Sequence, residues 1–93
     1  MEIQQKDDGK RGMFFIEDEN EMLAEMTYIW AGLSKIIIDH TEVSDKLAGK
    51  GVGKQLVNSA VIFARENKIR ILPLCPFAKR VFSKVKEYSD VLL

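Results

Sequence analysis

The chain has one cysteine, one histidine, one tryptophan and two prolines among its 93 residues. A lone cysteine, Cys75, forms no internal disulfide, and an unpaired thiol fits a reducing compartment better than a secreted one, so the expectation is a cytoplasmic protein. One histidine and one cysteine, without a close group of further ligands, argue against a structural metal site. Neither sign of charge is in excess: 14 basic and 14 acidic side chains cancel. A nucleic-acid binder usually carries a basic surplus, because counterion release drives that affinity, and no nucleic-acid partner is expected. No apolar run approaches the roughly 20 residues needed to cross a bilayer, so no membrane span is expected. Residues 1–6, Met1-Glu2-Ile3-Gln4-Gln5-Lys6, lack the apolar stretch of a signal peptide. Internal repeats, low-complexity segments and linkers are absent as well.

What is present is ordinary for a soluble globular chain: 46% hydrophobic and 30% charged residues. The length suits a single domain, residues 1–93, that buries about 60–65% of the surface of its unfolded chain. The pattern changes once, near Ser44. Before it the period is two: a weak strand over residues 1–6, a turn at Asp7-Asp8-Gly9-Lys10, a strand from Met13 to Glu17 and a turn at Asp18-Glu19-Asn20. A strand follows with Met22, Ala24, Met26, Tyr28 and Trp30 on one face, and after a turn a fourth runs from Lys35 to Val43. Short connections between these four imply an antiparallel meander.

After Ser44 come a glycine loop, Leu47 to Gly53, and a helix to about Asn67 with Val52, Leu56, Ala60 and Ala64 on one face. Ile69 to Leu74 is a short, continuously apolar strand suited to a buried position. Cys75-Pro76-Phe77 opens a last helix that runs to about Glu87, with proline in its first turn. The expected fold is therefore α/β in the order ββββ-α-β-α: a mostly antiparallel sheet with one parallel strand–helix–strand crossover. Ligands of such a unit sit beyond the carboxyl ends of its parallel strands. His40, Cys75 and the glycine loop all fall at that end.

Gly49, Gly51 and Gly53 directly before a helix form a motif for an anion: glycines let backbone approach a ligand, and the first helical N–H groups then point at it. A Walker A loop is excluded, because Gly53-Lys54 is followed by Gln55 and the first glycine position holds Ala48. A dinucleotide fingerprint is excluded too, because counting from Gly49 or from Gly51 its last position holds Lys54 or Leu56.

The segment Leu47-Ala48-Gly49-Lys50-Gly51-Val52-Gly53-Lys54 resembles the coenzyme A loop of the GNAT acetyltransferases, [RQ]-x-x-G-x-[GA]. Gly51 and Gly53 stand at its two small positions, and Ala48 departs from its leading Arg or Gln. With His40-Thr41-Glu42-Val43 before the loop and Leu74-Cys75-Pro76-Phe77-Ala78 after the strand, the resemblance narrows to a small cysteine-containing subgroup of about this length. It implies a minimal GNAT-like core that binds acetyl-coenzyme A through Val43, Gly49, Lys50, Gly51, Val52, Gly53 and Lys54. It also implies acetyl transfer to an amine or thiol acceptor, with Cys75 as a candidate catalytic group.

At a helix start a thiolate is favoured over a thiol, and a thiolate attacks a thioester readily. His40, with a reference pKa of about 6.5, is a candidate base, and Glu42 shares its strand face, with Thr41 on the other. Lys79, Arg80, Lys84 and Lys86 crowd the last helix and offer cations to the 3′-phosphate of coenzyme A. The alternative function is a non-catalytic acyl-coenzyme A binding module, in which Cys75 is a small apolar residue at the end of a buried strand.

Overall fold

The computed structural model describes residues 2–93. Five strands form one sheet in chain order: β1 (Gln4–Asp7), β2 (Arg11–Asp18), β3 (Glu21–Trp30), β4 (Lys35–Val43) and β5 (Arg70–Pro73). The first three pairings are antiparallel, and β4 with β5 is parallel. Helix α1 (Val52–Asn67) fills the crossover between β4 and β5, and α2 (Pro76–Lys84) follows β5. The expected element order and pairing are those observed. The chain ends against β5, where Ile71 donates its N–H to Val91 O at 2.7 Å and Leu93 donates to Ile71 O at 2.8 Å.

The core lies between one face of the sheet and the helices. Met26, Tyr28, Ile36, Ile38 and Ile71 meet Leu56, Val57, Ala60, Val61 and Ala64 of α1, and α2 adds Ala78, Val81 and Phe82. Gly12 has a specific task. It stands opposite Tyr28 in the ladder, and a Cβ there would lie 2.3 Å from the Tyr28 ring. The bare backbone lets the ring cross β2, so that the Tyr28 hydroxyl donates to Asp7 Oδ2 at 2.6 Å on β1. Trp30 Nε1 donates to the same carboxylate, and Gln5 donates to the hydroxyl. These bonds tie the exposed edge strand to the core.

Two extra residues break the strict alternation. Between Ile16↔Ala24 and Glu17↔Met22, β3 carries Leu23 as an additional residue. Leu23 therefore joins Ala24 in the core, and Met22, expected on the buried face, is 38% exposed. Between Tyr28↔Ile38 and Thr27↔His40, β4 carries Asp39. Cross-strand partners share a face. Past this bulge Thr41 and Val43 pair with the core-facing Met26 and Ala24, while His40 and Glu42 pair with Thr27 and Glu25 on the side away from the helices.

The last helix is shorter than its sequence pattern suggests. It stops at Lys84, because Val85 leaves helical geometry (φ −101°, ψ 91°), and a 3-10 turn over Lys86–Tyr88 follows. The break turns Tyr88 inward, where its hydroxyl donates to Asn58 Oδ1 of α1 at 2.9 Å.

Candidate functional site

The strands β4 and β5 part company at Ile38. Their ladder ends at Ile38↔Pro73, and the N–H groups of both Leu74 and Cys75 converge on Ile38 O, at 2.9 and 3.1 Å. From Asp39 to Val43 the edge of β4 that would face β5 has no strand partner. The segment after β4 forms a short 3-10 turn, Asp45–Leu47, capped by the Ser44 hydroxyl. The chain then passes through two left-handed glycines, Gly49 (φ 78°) and Gly51 (φ 70°), into α1.

This entry into α1 is open. Gly51 is the N-cap residue and offers no side chain to the helix, and the first turn holds no acidic residue. The first N–H groups of a helix have no intrahelical partner, and the helix dipole adds partial positive charge. They open on a cleft of about 500 Å³. One wall is Val43, Ser44, Asp45, Leu47 and Ala48, and the floor is Gly49, Gly51, Val52, Gly53 and Lys54. The other wall is Phe77, Val81, Lys84 and Val85 from α2 and its end. Of the residues named in the sequence for coenzyme A, six line this cleft and Lys50 does not.

Gly53 differs from its expected place in the loop. It is the second residue of α1, and a Cβ there would lie 2.5 Å from Phe77 Cζ. Its role is close approach of the two helices rather than a turn. Phe77, Val81 and Val85 recur at a spacing of four in the sequence, a pattern that marks an apolar helix stripe but not the wall of a cleft. Of the four basic residues in and after α2, only Lys84 lines the cleft; Lys79 and Lys86 border a separate groove beside Leu92 and Leu93.

Cys75 is the N-cap of α2 and is 6% exposed. Its Sγ lies 3.5 Å from Thr41 Oγ1. Burial pushes the thiol upward, but hydrogen bonding to the Thr41 hydroxyl and to backbone N–H groups of Ala78, Phe77 and Thr41 outweighs it, so the thiol sits below its ordinary value. A thiolate in this notch would be held by the start of α2 and the free edge of β4. The structure does not bring His40 to Cys75. The bulge at Asp39 turns His40 to the other face of the sheet, where Nε2 lies 3.3 Å from Glu42 Oε2, and both side chains are exposed. The partner that sequence reasoning missed is Thr41, placed only as the residue opposite in face to His40.

Among the described residues no group of three or more acidic, histidine or cysteine side chains is arranged to hold a metal. Among the described residues no helix is long and apolar enough to cross a membrane.

A family model described as GCN5-related N-acetyltransferase matches residues 13–91. The solution structure of a GCN5-like protein from Staphylococcus aureus is 46% identical, with a TM-score of 0.79 over 99% of this chain and 87% of that one. A ribosomal-protein-alanine N-acetyltransferase from Brucella melitensis biovar Abortus 2308 is 16% identical, with a TM-score of 0.68 over 84% of this chain and 62% of its own. A GNAT family acetyltransferase from Elizabethkingia anophelis with acetyl-CoA bound is 15% identical, with a TM-score of 0.58 over 69% of this chain and 42% of its own. The last two share the fold, and this chain spans less than two thirds of their length. No curated protein matches the chain in sequence.

Proposed function

The chain belongs to the GCN5-related N-acetyltransferase family, and from that premise we propose that it binds acetyl-coenzyme A in the cleft at the start of α1 and passes the acetyl group to an amine or thiol acceptor. The observation that carries this reading is the glycine-entered start of α1, without a side-chain cap, opening on a largely apolar cleft. A pyrophosphate fits the N–H groups of Val52, Gly53 and Lys54, with the Lys54 ammonium beside them. The apolar walls, Val43 on one side and Phe77, Val81 and Val85 on the other, suit the pantetheine arm. Its amides can pair with the free edge of β4, as an added strand would.

Two routes lead from the thioester to product. In the direct route, the acceptor nitrogen or sulfur attacks the thioester carbonyl, the C–S bond breaks, the coenzyme A thiolate leaves and the acceptor loses its proton. His40 and Glu42, exposed on the outer face of β4, are the candidate groups to take that proton. In the covalent route, the Cys75 thiolate attacks the carbonyl first, the thioester C–S bond breaks and coenzyme A leaves as the thiolate. The acceptor then attacks the acetyl-cysteine carbonyl and gives up its proton, which the departing coenzyme A thiolate can take, and the Cys75 thiolate is released. Thr41 and the α2 N–H groups favour that thiolate, in place of the His40 base expected from sequence. A free thiol kept for acyl chemistry supports a reducing, cytoplasmic setting.

The test is ligand-dependent unfolding combined with intact-mass spectrometry. At a hundred times its dissociation constant a ligand stabilises the fold by about 2.7 kcal/mol. With about 4–8 °C per kcal/mol for a domain of this size, acetyl-coenzyme A should raise the melting midpoint by about ten degrees or more. No shift at millimolar ligand refutes the reading. An acetyl adduct mapped to Cys75 and absent from Cys75→Ala selects the covalent route; undiminished turnover in Cys75→Ala selects the direct one. Binding without turnover on any amine or thiol acceptor would leave a non-catalytic binding module.

A further inference from the structure

Coenzyme A carries two separate anionic groups, and the cleft presents cations from two separate elements. The pyrophosphate is provided for by the start of α1 and Lys54. The 3′-phosphate of the ribose is a second dianion and needs another partner. Helix α2, Pro76–Lys84, contains Lys79, Arg80 and Lys84 and no acidic residue. These three cations point in different directions. Lys79 borders the groove beside Leu92 and Leu93. Arg80 lies over the Phe77 ring, 6.0 Å from its centroid. Lys84 alone lines the cleft, on the wall across from the glycine loop. Among the described residues it takes part in no ion pair, and the one carboxylate on the cleft wall, Asp45, stands on the 3-10 turn.

We propose that Lys84 reads the 3′-phosphate, so that the chain selects 3′-phosphorylated coenzyme A over dephospho-coenzyme A. The proposal rests on the acetyl-coenzyme A reading of the cleft and adds a specificity residue to it. Lys84 is exposed at the end of α2, so its replacement leaves the core and the glycine cradle intact.

Calorimetry with coenzyme A and dephospho-coenzyme A on the wild type, Lys84→Gln and Lys86→Gln tests it. The wild type is expected to favour coenzyme A by about fivefold, the upper range for an exposed charge pair. In Lys84→Gln the two affinities converge, through weaker coenzyme A binding with dephospho-coenzyme A unchanged. Lys86→Gln, outside the cleft, keeps the wild-type ratio. Equal binding of both ligands by the wild type, a ratio retained in Lys84→Gln, or an equal loss of ratio in Lys86→Gln overturns the assignment. A wild type that binds neither ligand overturns the reading of the cleft and this inference with it.

Discussion

Replacing Gly53 with alanine tests whether the junction of α1 and α2 is set by the absence of one methyl group. Gly53 is the second residue of α1, so alanine gains only part of the roughly 1 kcal/mol by which it is favoured over glycine in a helix interior. Against that gain stands the Phe77 ring, whose Cζ and Cε2 would lie 2.5 and 2.8 Å from the new Cβ. Overpacking of this kind costs about 1–3 kcal/mol. The net loss is about 0–3 kcal/mol, or up to about 24 °C in melting midpoint. The larger effect falls on ligand affinity, because Phe77 lines the cleft and the ring has to move. Gly51→Ala is the control. Nothing lies within 4 Å of its Cβ, so its cost is the left-handed backbone (φ 70°), about 1 kcal/mol, with the cleft walls in place. Urea titrations and calorimetry with acetyl-coenzyme A on both variants, and on Gly53→Ala/Phe77→Leu, complete the comparison. Gly53→Ala should weaken binding more than Gly51→Ala, and the double variant should show favourable coupling between the two positions. Wild-type stability and affinity in Gly53→Ala would refute the argument that close helix approach shapes the cleft.

Gly12→Ala places a Cβ 2.3 Å from the Tyr28 ring and 2.8 Å from Lys6 O, and backbone gives way less easily than a ring; a loss of about 3 kcal/mol in urea unfolding is expected, and a near-neutral variant would show that β1 and Tyr28 shift freely. Asp7 titrates below the usual carboxylate value of 3.8: burial raises it, but hydrogen bonds from Tyr28, the Gly9 N–H and Trp30 prevail. Its contribution is therefore full well above the unfolded value of 3.8 and lost as pH falls through the lowered folded value, so Asp7→Ala should be less stable than wild type at pH 7 by a margin that narrows as pH falls below 3.8, and a gap independent of pH would refute the linkage.

The order of elements and the glycine-entered cleft at the start of α1 were legible because each rests on local signals. Glycines before an amphipathic stretch mark a helix entry, and a continuous apolar run marks the parallel strand. The faces of the strands were less legible. Leu23 and Asp39 are extra residues in their ladders, yet neither is a glycine or proline, and nothing in a period-two pattern announces an added residue. Met22 was therefore placed inside, and His40 was joined to Cys75. The contact between Thr41 and Cys75 spans 34 residues. It depends on β4 and β5 separating after Ile38, a tertiary event that no local window contains. The early stop of α2 at Val85 likewise follows from the docking of Tyr88 on Asn58 rather than from helix propensity.

The single additional residue at Asp39 also divides labour along β4. Without it the inward register of Ile36 and Ile38 would continue to His40 and Glu42, and the donor cleft would acquire an imidazole and a carboxylate where it now has a hydroxyl and an isopropyl group. With it, one strand serves two chemical environments with little crosstalk. Substitutions at His40 or Glu42 alter only the outer surface, where the proposed direct route puts the acceptor, while Thr41 and Val43 on the other face keep the thiol notch and the cleft wall constant. Single exchanges on the open face therefore leave the cleft unchanged, whereas deletion of Asp39 would swap the two environments in one step.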